Sequence, residues 1–370
     1  MKRRNILTWA LSVMSASLLV AHTFAQNQPP RLPAGAEDIK PASVQAPLDP
    51  GYQALIATCK TPPQGRGRGA GGGNRGRGPQ APQGIREYTV TEIPGVIKGG
   101  EKWTFVWQEA GNNGDGIVGT NDGSLLLAQN DDSKILKLDK DGRPSVAYSD
   151  THTGGSVTIN PKGAVFAVER GLHQRIEQLA PQRKVFADSY NGEPLDCLGG
   201  VLNDIISDSK GGVYFTMGQL FYVNPQGMVT KQSENLNTNG LALSPDEKTL
   251  YVTNGGTLAA FDVQKDGSLT NQREFAKLMG GGGDGSTVDS KGRIFVTSGA
   301  GVEVIDPSGK NLGVIPTPRG VITCAFGGKN KKTLYILARG GTTSKGDELA
   351  NVAQVWTIPM ETQGFKGRMK

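Results

Sequence analysis

The stretch Asn237-Thr-Asn-Gly-Leu-Ala-Leu-Ser-Pro-Asp-Glu-Lys-Thr-Leu-Tyr-Val-Thr-Asn254 decides the fold. A polar residue, Asn239, precedes a short apolar run, Leu241-Ala-Leu243. The turn Ser244-Pro-Asp-Glu-Lys248 leads into a second run, Leu250-Tyr-Val-Thr253. Two short alternating runs about a Pro/Asp turn read as a β-hairpin. The unit recurs, with turns at Asn121-Asp-Gly123, Asn160-Pro-Lys-Gly163, Asp208-Ser-Lys-Gly211, Pro245-Asp-Glu-Lys248, Asp289-Ser-Lys-Gly292 and Gly328-Lys-Asn-Lys-Lys332. An apolar strand follows each turn, as in Gly212-Val-Tyr-Phe-Thr216 and Arg293-Ile-Phe-Val-Thr297. Successive turns end at residues 123, 163, 211, 248, 292 and 332, a spacing of 37 to 48 residues. Strand repeats of this length without helical periodicity are the signature of a β-propeller. Six copies predict an all-β, six-bladed β-propeller whose blades are four-stranded sheets with the hairpin as inner pair. A β-sandwich with coincidentally similar hairpins is the competing reading, and the regular period and the count weigh against it.

Outward from the repeats, residues 1–25 read as a secretory signal peptide. Met1-Lys-Arg-Arg-Asn5 is basic, Ile6 to Val20 is mostly apolar, and Thr23-Phe-Ala25 offers a small-residue cleavage site. The apolar run is too short to span a bilayer, so a periplasmic or secreted protein without a membrane span is expected. Residues 26–85 are rich in Pro, Gly, Ala and Gln and include the tract Gly65-Arg-Gly-Arg-Gly-Ala-Gly-Gly-Gly-Asn-Arg-Gly-Arg-Gly78. Such a composition cannot bury a core and predicts a disordered N-terminal extension. The propeller is then residues 86–370. Within it Glu87-Tyr-Thr-Val-Thr-Glu92 alternates and reads as an outer strand, and Val352 to Ile358 as another. An N-terminal strand pairing into the last blade is expected to close the ring.

The formal net charge is +6. Lys2, Arg3 and Arg4 lie in the signal, and Arg66, Arg68, Arg75 and Arg77 in the Gly-rich tract. The remainder is near neutral, so the charge does not point to a nucleic-acid partner. The three cysteines, Cys59, Cys197 and Cys324, lack metal-binding spacing. One disulfide is compatible with an oxidising compartment, its pairing is open, and Cys59 reads as a stray linker thiol.

Eleven or twelve residues before the apolar or aromatic residue of each second strand stand Asp115, Gly155, Asn203, Asn239, Asp284 and Thr323. These positions begin the innermost strands, which surround one central channel. Asp and Asn are depleted in strands and costly to bury unpaired. A single Asx-Gly pair is ordinary turn chemistry. Four Asx residues at one repeat phase, Asp115, Asn203, Asn239 and Asp284, read instead as a shared site. Two carboxylates and two amide oxygens are hard ligands suited to Ca2+, with Mg2+, Mn2+ or Zn2+ as further candidates.

The segments Asn203-Asp204, Thr238-Asn-Gly-Leu-Ala-Leu-Ser-Pro-Asp246, Gly283 to Asp289 and Cys324-Ala-Phe-Gly-Gly328 resemble the gluconolactonase/regucalcin family over about residues 103–358. The resemblance implies a six-bladed propeller with one divalent metal in the channel, held by Asp115, Asn203, Asn239 and Asp284. It also implies hydrolysis of a small-molecule lactone. Two features depart from the family pattern. Asp115 stands where a Glu is usual, and Val201 stands where sugar-lactone binders often carry Arg.

His152, Glu169, Arg170, Arg319 and Thr323 are further candidates for binding substrate at the channel mouth. For His152 a solvated loop position is the plainer reading, and for Glu169-Arg170 a surface ion pair. A Gly-x-Ser-x-Gly elbow and a phosphate loop are both missing from the sequence. Two functions follow. The first is a metal-dependent hydrolase of a lactone or related ester, monomeric, with Asp284 as ligand and general base. The second is a non-catalytic exported propeller that binds a small ligand or protein partner around a structural ion.

Overall fold

A computed structural model describes residues 44–63, 84–110, 114–343 and 345–370. Six four-stranded antiparallel sheets radiate from one axis. Their innermost strands are Gly114–Gly119, Val157–Ile159, Ile205–Ser207, Thr238–Leu243, Ser286–Val288 and Val321–Gly327. The fourth blade shows the plan. Thr238–Leu243 pairs with Thr249–Asn254, which pairs with Thr257–Val263 and then Leu269–Lys277. The six-bladed propeller expected from the repeats is thus the observed fold, with all six inner hairpin turns where the sequence places them.

The turn residues act through their side chains. Asp208 Oδ1 accepts backbone N–H groups from Lys210, Gly211 and Gly212 at 2.8–2.9 Å. Asn160 Oδ1 takes those of Lys162 and Ala164, and Asp289 Oδ1 those of Lys291 and Arg293, all at 2.9 Å. An Asx side chain thereby supplies the partners that the reversed backbone cannot reach itself. Between the blades lie separate apolar layers. One, between the third and fourth blades, joins Ile206, Tyr214 and Tyr222 to Leu241, Val252 and Phe261.

The ring is closed by Thr104–Ala110, the outermost strand of the sixth blade. It pairs antiparallel with Glu348–Pro359, with Thr104 opposite Thr357. Glu87 to Glu92, expected as an outer strand, is not one. Val90 is buried in the layer between the fifth and sixth blades, with Tyr88 packed against it. The alternation reflects that one-sided burial, whereas the free sheet edge of the sixth blade is taken by Thr104–Ala110.

The extension also differs from expectation over residues 44–63. Residues 1–43, which include the expected signal peptide, and the Gly/Arg tract 64–83 lie outside the described residues, but 44–63 are folded onto the propeller. Tyr52–Ile56 is a short helix. Ala46 is fully buried, and its N–H donates to Arg170 O at 2.7 Å. Thr153 Oγ1 donates to Val44 O at 3.2 Å. Cys59, read as a stray thiol, forms a disulfide with Cys197, 138 residues away. Cys324 is the buried free cysteine. A low-complexity sequence is held here by a covalent tether and a few backbone bonds rather than by a core of its own. Cross-linking so long a loop constrains the unfolded chain. Replacing Cys197 by Ser should therefore lower stability by about 2–4 kcal/mol in denaturant titration, an effect reproduced by reduction of the wild type and absent in the variant.

Candidate active site at the channel mouth

The inner strands converge because some positions carry no side chain. A Cβ on Gly240 would stand 2.1 Å from Asp284 O of the fifth blade. Gly285 makes a similar approach to Thr323 of the sixth. The glycines after Asn239 and Asp284 therefore serve strand-to-strand contact around the channel, not turns. Their neighbours are left at the same height at its mouth.

Asp115, Asn203, Asn239 and Asp284 are brought around one centre. Asn203 Nδ2 donates to Asn239 Oδ1 at 2.6 Å. Arg170 links Asn203 to Asp115: its Nη2 is 2.5 Å from Asp115 Oδ2 and 3.1 Å from Asn203 Oδ1. Burial, reinforced by the Asp115 charge, pushes the Asp284 carboxyl up to about 7, although Arg339 lies 3.2 Å from its Oδ2. Two half-buried carboxylates at the mouth, together with amide oxygens, are a donor set that fits a hard divalent cation. Asp115, Asn239 and Asp284 would hold it, and Asn203 after its amide turns from Asn239.

The other sequence candidates divide. Arg170 reaches the centre from the end of Val165–Glu169 through space vacated by Gly155, where a Cβ would stand 2.0 Å from its Nε. The guanidinium is buried, with Nε donating to Leu202 O at 2.6 Å and Nη2 to Asn203 O at 2.9 Å. With the Asn130 amide oriented to suit both neighbours, its oxygen accepts from Arg170 Nη1 at 3.2 Å. Arg170 thus positions Asp115 and Asn203. Thr323 is buried on the sixth inner strand beside Gly285. Arg319 is committed to Glu348, at 2.6 Å, and to Thr342 Oγ1, at 3.0 Å. His152 is exposed on its loop with φ 41°, and its carbonyl accepts the N–H groups of Arg170 and Gly171. Burial, then the Arg175 charge, lowers its pKa.

Glu169 faces away from the centre, inside the second blade, against Arg175 at 2.7 Å and Glu177. Burial and the Glu177 carboxyl push it up to about 8. Glu177 is held low. Burial opposes this, but hydrogen bonds from Glu169 and Arg183 outweigh it.

Three residues at the centre escaped the sequence reading: Asp204, Arg339 and Lys370. Asp204 Oδ1 accepts from Ser156 Oγ at 2.6 Å, and its Oδ2 accepts Leu241 N–H at 2.7 Å, so it ties together three blades. The Asn203-Asp204 pairing was its only sequence signal.

Residues 114–340 match the family described as SMP-30/Gluconolactonase/LRE-like region, and the chain belongs to that family. It is 27% identical over 215 residues to a gluconolactonase of Zymomonas mobilis, covering 49% of this chain and 59% of that one. It is 31% identical over 188 residues to lactonase drp35 of Staphylococcus haemolyticus, covering 45% and 56%. The chain thus spans a little over half the length of these two relatives. The solved structure of a Xanthomonas campestris gluconolactonase aligns with a TM-score of 0.62 at 24% identity, over 76% of this chain and 97% of that one. A calcium-binding regucalcin of Agrobacterium tumefaciens aligns with a TM-score of 0.54 at 19% identity, over 68% and 93%. At these identities the likeness shows the fold.

Two outcomes follow. Arg170→Ala leaves Asp115 without its buried partner and should cost about 3–5 kcal/mol in chemical denaturation. Glu169 keeps its proton in the folded chain while the unfolded chain releases it from its ordinary value of 4.5. Stability contributed at that site therefore falls as pH rises from about 4.5 to about 8. Glu169→Gln should match wild type near pH 5 and exceed it above pH 8 by about 1–2 kcal/mol, read from melting curves across that range.

Proposed function

We propose that this protein is an exported, metal-dependent hydrolase of a lactone or related ester. The observation that carries the reading is the convergence of Asp115, Asn203, Asn239 and Asp284 at one channel mouth, in a chain of a family that includes gluconolactonases and lactonases. Hard oxygen donors favour Ca2+ over softer ions. When bound, the ion would polarise the substrate carbonyl. Asp284, a carboxylate at the centre, is the residue we assign to take a proton from the attacking water. Arg170 keeps Asp115 and Asn203 in register, so little rearrangement is needed at the moment of reaction. Val201, standing where sugar-lactone binders often carry Arg, supports a substrate other than a sugar lactone. The basic and apolar start of the sequence supports export, as does the Cys59–Cys197 disulfide.

A panel of aliphatic, aromatic and sugar lactones, assayed by acid release with Ca2+ and with EDTA, tests the reading. Hydrolysis that EDTA abolishes and Ca2+ restores is expected. Asp284→Ala should lose both Ca2+ binding and turnover, and Asp284→Asn should retain weak binding and lose at least about a hundredfold in rate. Calcium binding without turnover of any lactone would instead favour a ligand-binding propeller with a structural ion.

A further inference from the structure

Residues 360–370 lie beyond the part of the chain that the family description matches. They leave the sixth blade at Pro359 and run into the channel from the side of the hairpin turns. Gly364 N–H donates to Lys331 O at 2.8 Å, and Gly364 bridges Asp289. Phe365 N–H donates to Val288 O at 3.2 Å. Arg368, nearly fully buried, bonds Glu247 at 3.1 Å and the carbonyl of Leu243. Met369 bridges Ile159 on the far side, and Thr287 Oγ1 donates to Lys370 O at 2.6 Å. The segment thus climbs the axis and touches the second, fourth, fifth and sixth blades. At its upper end Lys370 pairs with Asp204 of the third, the residue next to Asn203.

The Lys370 side chain is 6% exposed. Asp204 and Asp115 both act on its ammonium, and both act on Asp284. The centre therefore holds the carboxylates Asp115, Asp204 and Asp284 and the cations Arg170, Arg339 and Lys370. Arg339 is 43% exposed and partly screened by water. Arg170 and Lys370 are buried, where a charge is screened less than at the surface.

We propose that Lys370 is an internal counter-cation of the channel centre, opposing a divalent ion at Asp115, Asn203, Asn239 and Asp284 and keeping that ion weakly held and exchangeable. The inference rests on the metal reading above. Its physical content is a sign. A group that merely holds the fold together would, when removed, loosen the site and weaken cation binding. A counter-cation, when removed, strengthens it, because Asp204 is then left as an uncompensated negative charge beside the ligands.

Calcium binding is measured by calorimetry on the full chain, on Lys370→Met and on Lys370→Arg, at low and high salt. Lys370→Met should bind Ca2+ at least about tenfold more tightly than wild type, whatever it does to the melting temperature. Lys370→Arg, which keeps the charge, should stay near wild type. Should Lys370→Met fail to fold, Lys370→Gln carries the same expectation, because its amide can still bond Asp204. Equal or weaker Ca2+ binding by the neutral variants overturns the proposal and leaves the metal reading standing. Absence of Ca2+, Mg2+ and Mn2+ binding to wild type and variants alike overturns both.

Discussion

The structure depends on closing a ring of wedge-shaped sheets. An open array of six blades would leave an apolar sheet face uncovered at each end. The pairing of Thr104–Ala110, just ahead of the first blade, with Glu348–Pro359 of the sixth ties the two ends together, and Ile117, Leu125 and Leu127 then pack against Ile322, Ala325 and Leu337. Once the ends are tied, the inner strands must meet around the axis, and only glycine at positions such as Gly240 and Gly285 lets them meet closely enough. The channel mouth is thus a product of closure. The residues just before those glycines face one another because no other arrangement closes the circle.

That geometry forces like charges together, and the chain answers with cations of its own. Asp115 has Arg170, Asp284 has Arg339 and Asp204 has Lys370. Each cation comes from outside the innermost strands: Arg170 and Arg339 from the later part of second strands or just past them, and Lys370 from the segment threaded up the axis. Burial first, and the neighbouring Asp115 charge second, still raise the Asp284 carboxyl despite Arg339. Burying three acids with no partners would cost several kcal/mol each.

The fold was legible in the sequence because its signals are local. Asn160, Asp208 and Asp289 make their turns with their own side chains, so six turns could be counted without knowing how they pack. Repeat phase then placed Asp115, Asn203, Asn239 and Asp284 at one height. What stayed hidden is non-local. Arg170 stands one residue past its strand and reaches the centre only because Gly155, at the second blade's channel position, leaves a gap. Lys370 arrives by threading, which no periodicity records. The partner of Cys59 depended on where an otherwise coreless segment docks. Glu87 to Glu92 misled because one-sided burial of Val90 imitates a strand whether or not an edge is free to receive it.

The axial segment has a consequence for traffic. Many ring-shaped proteins are open at both ends, so that one molecule can enter as another departs through the opposite side. Here Phe365, Arg368 and Met369 pack among the inner strands on the hairpin-turn side, so that among the described residues this end of the channel is narrowed. The strap anchored by Cys59 lies along the opposite rim and narrows its second-to-third-blade side. Strap and axial segment thus restrict the channel from opposite ends.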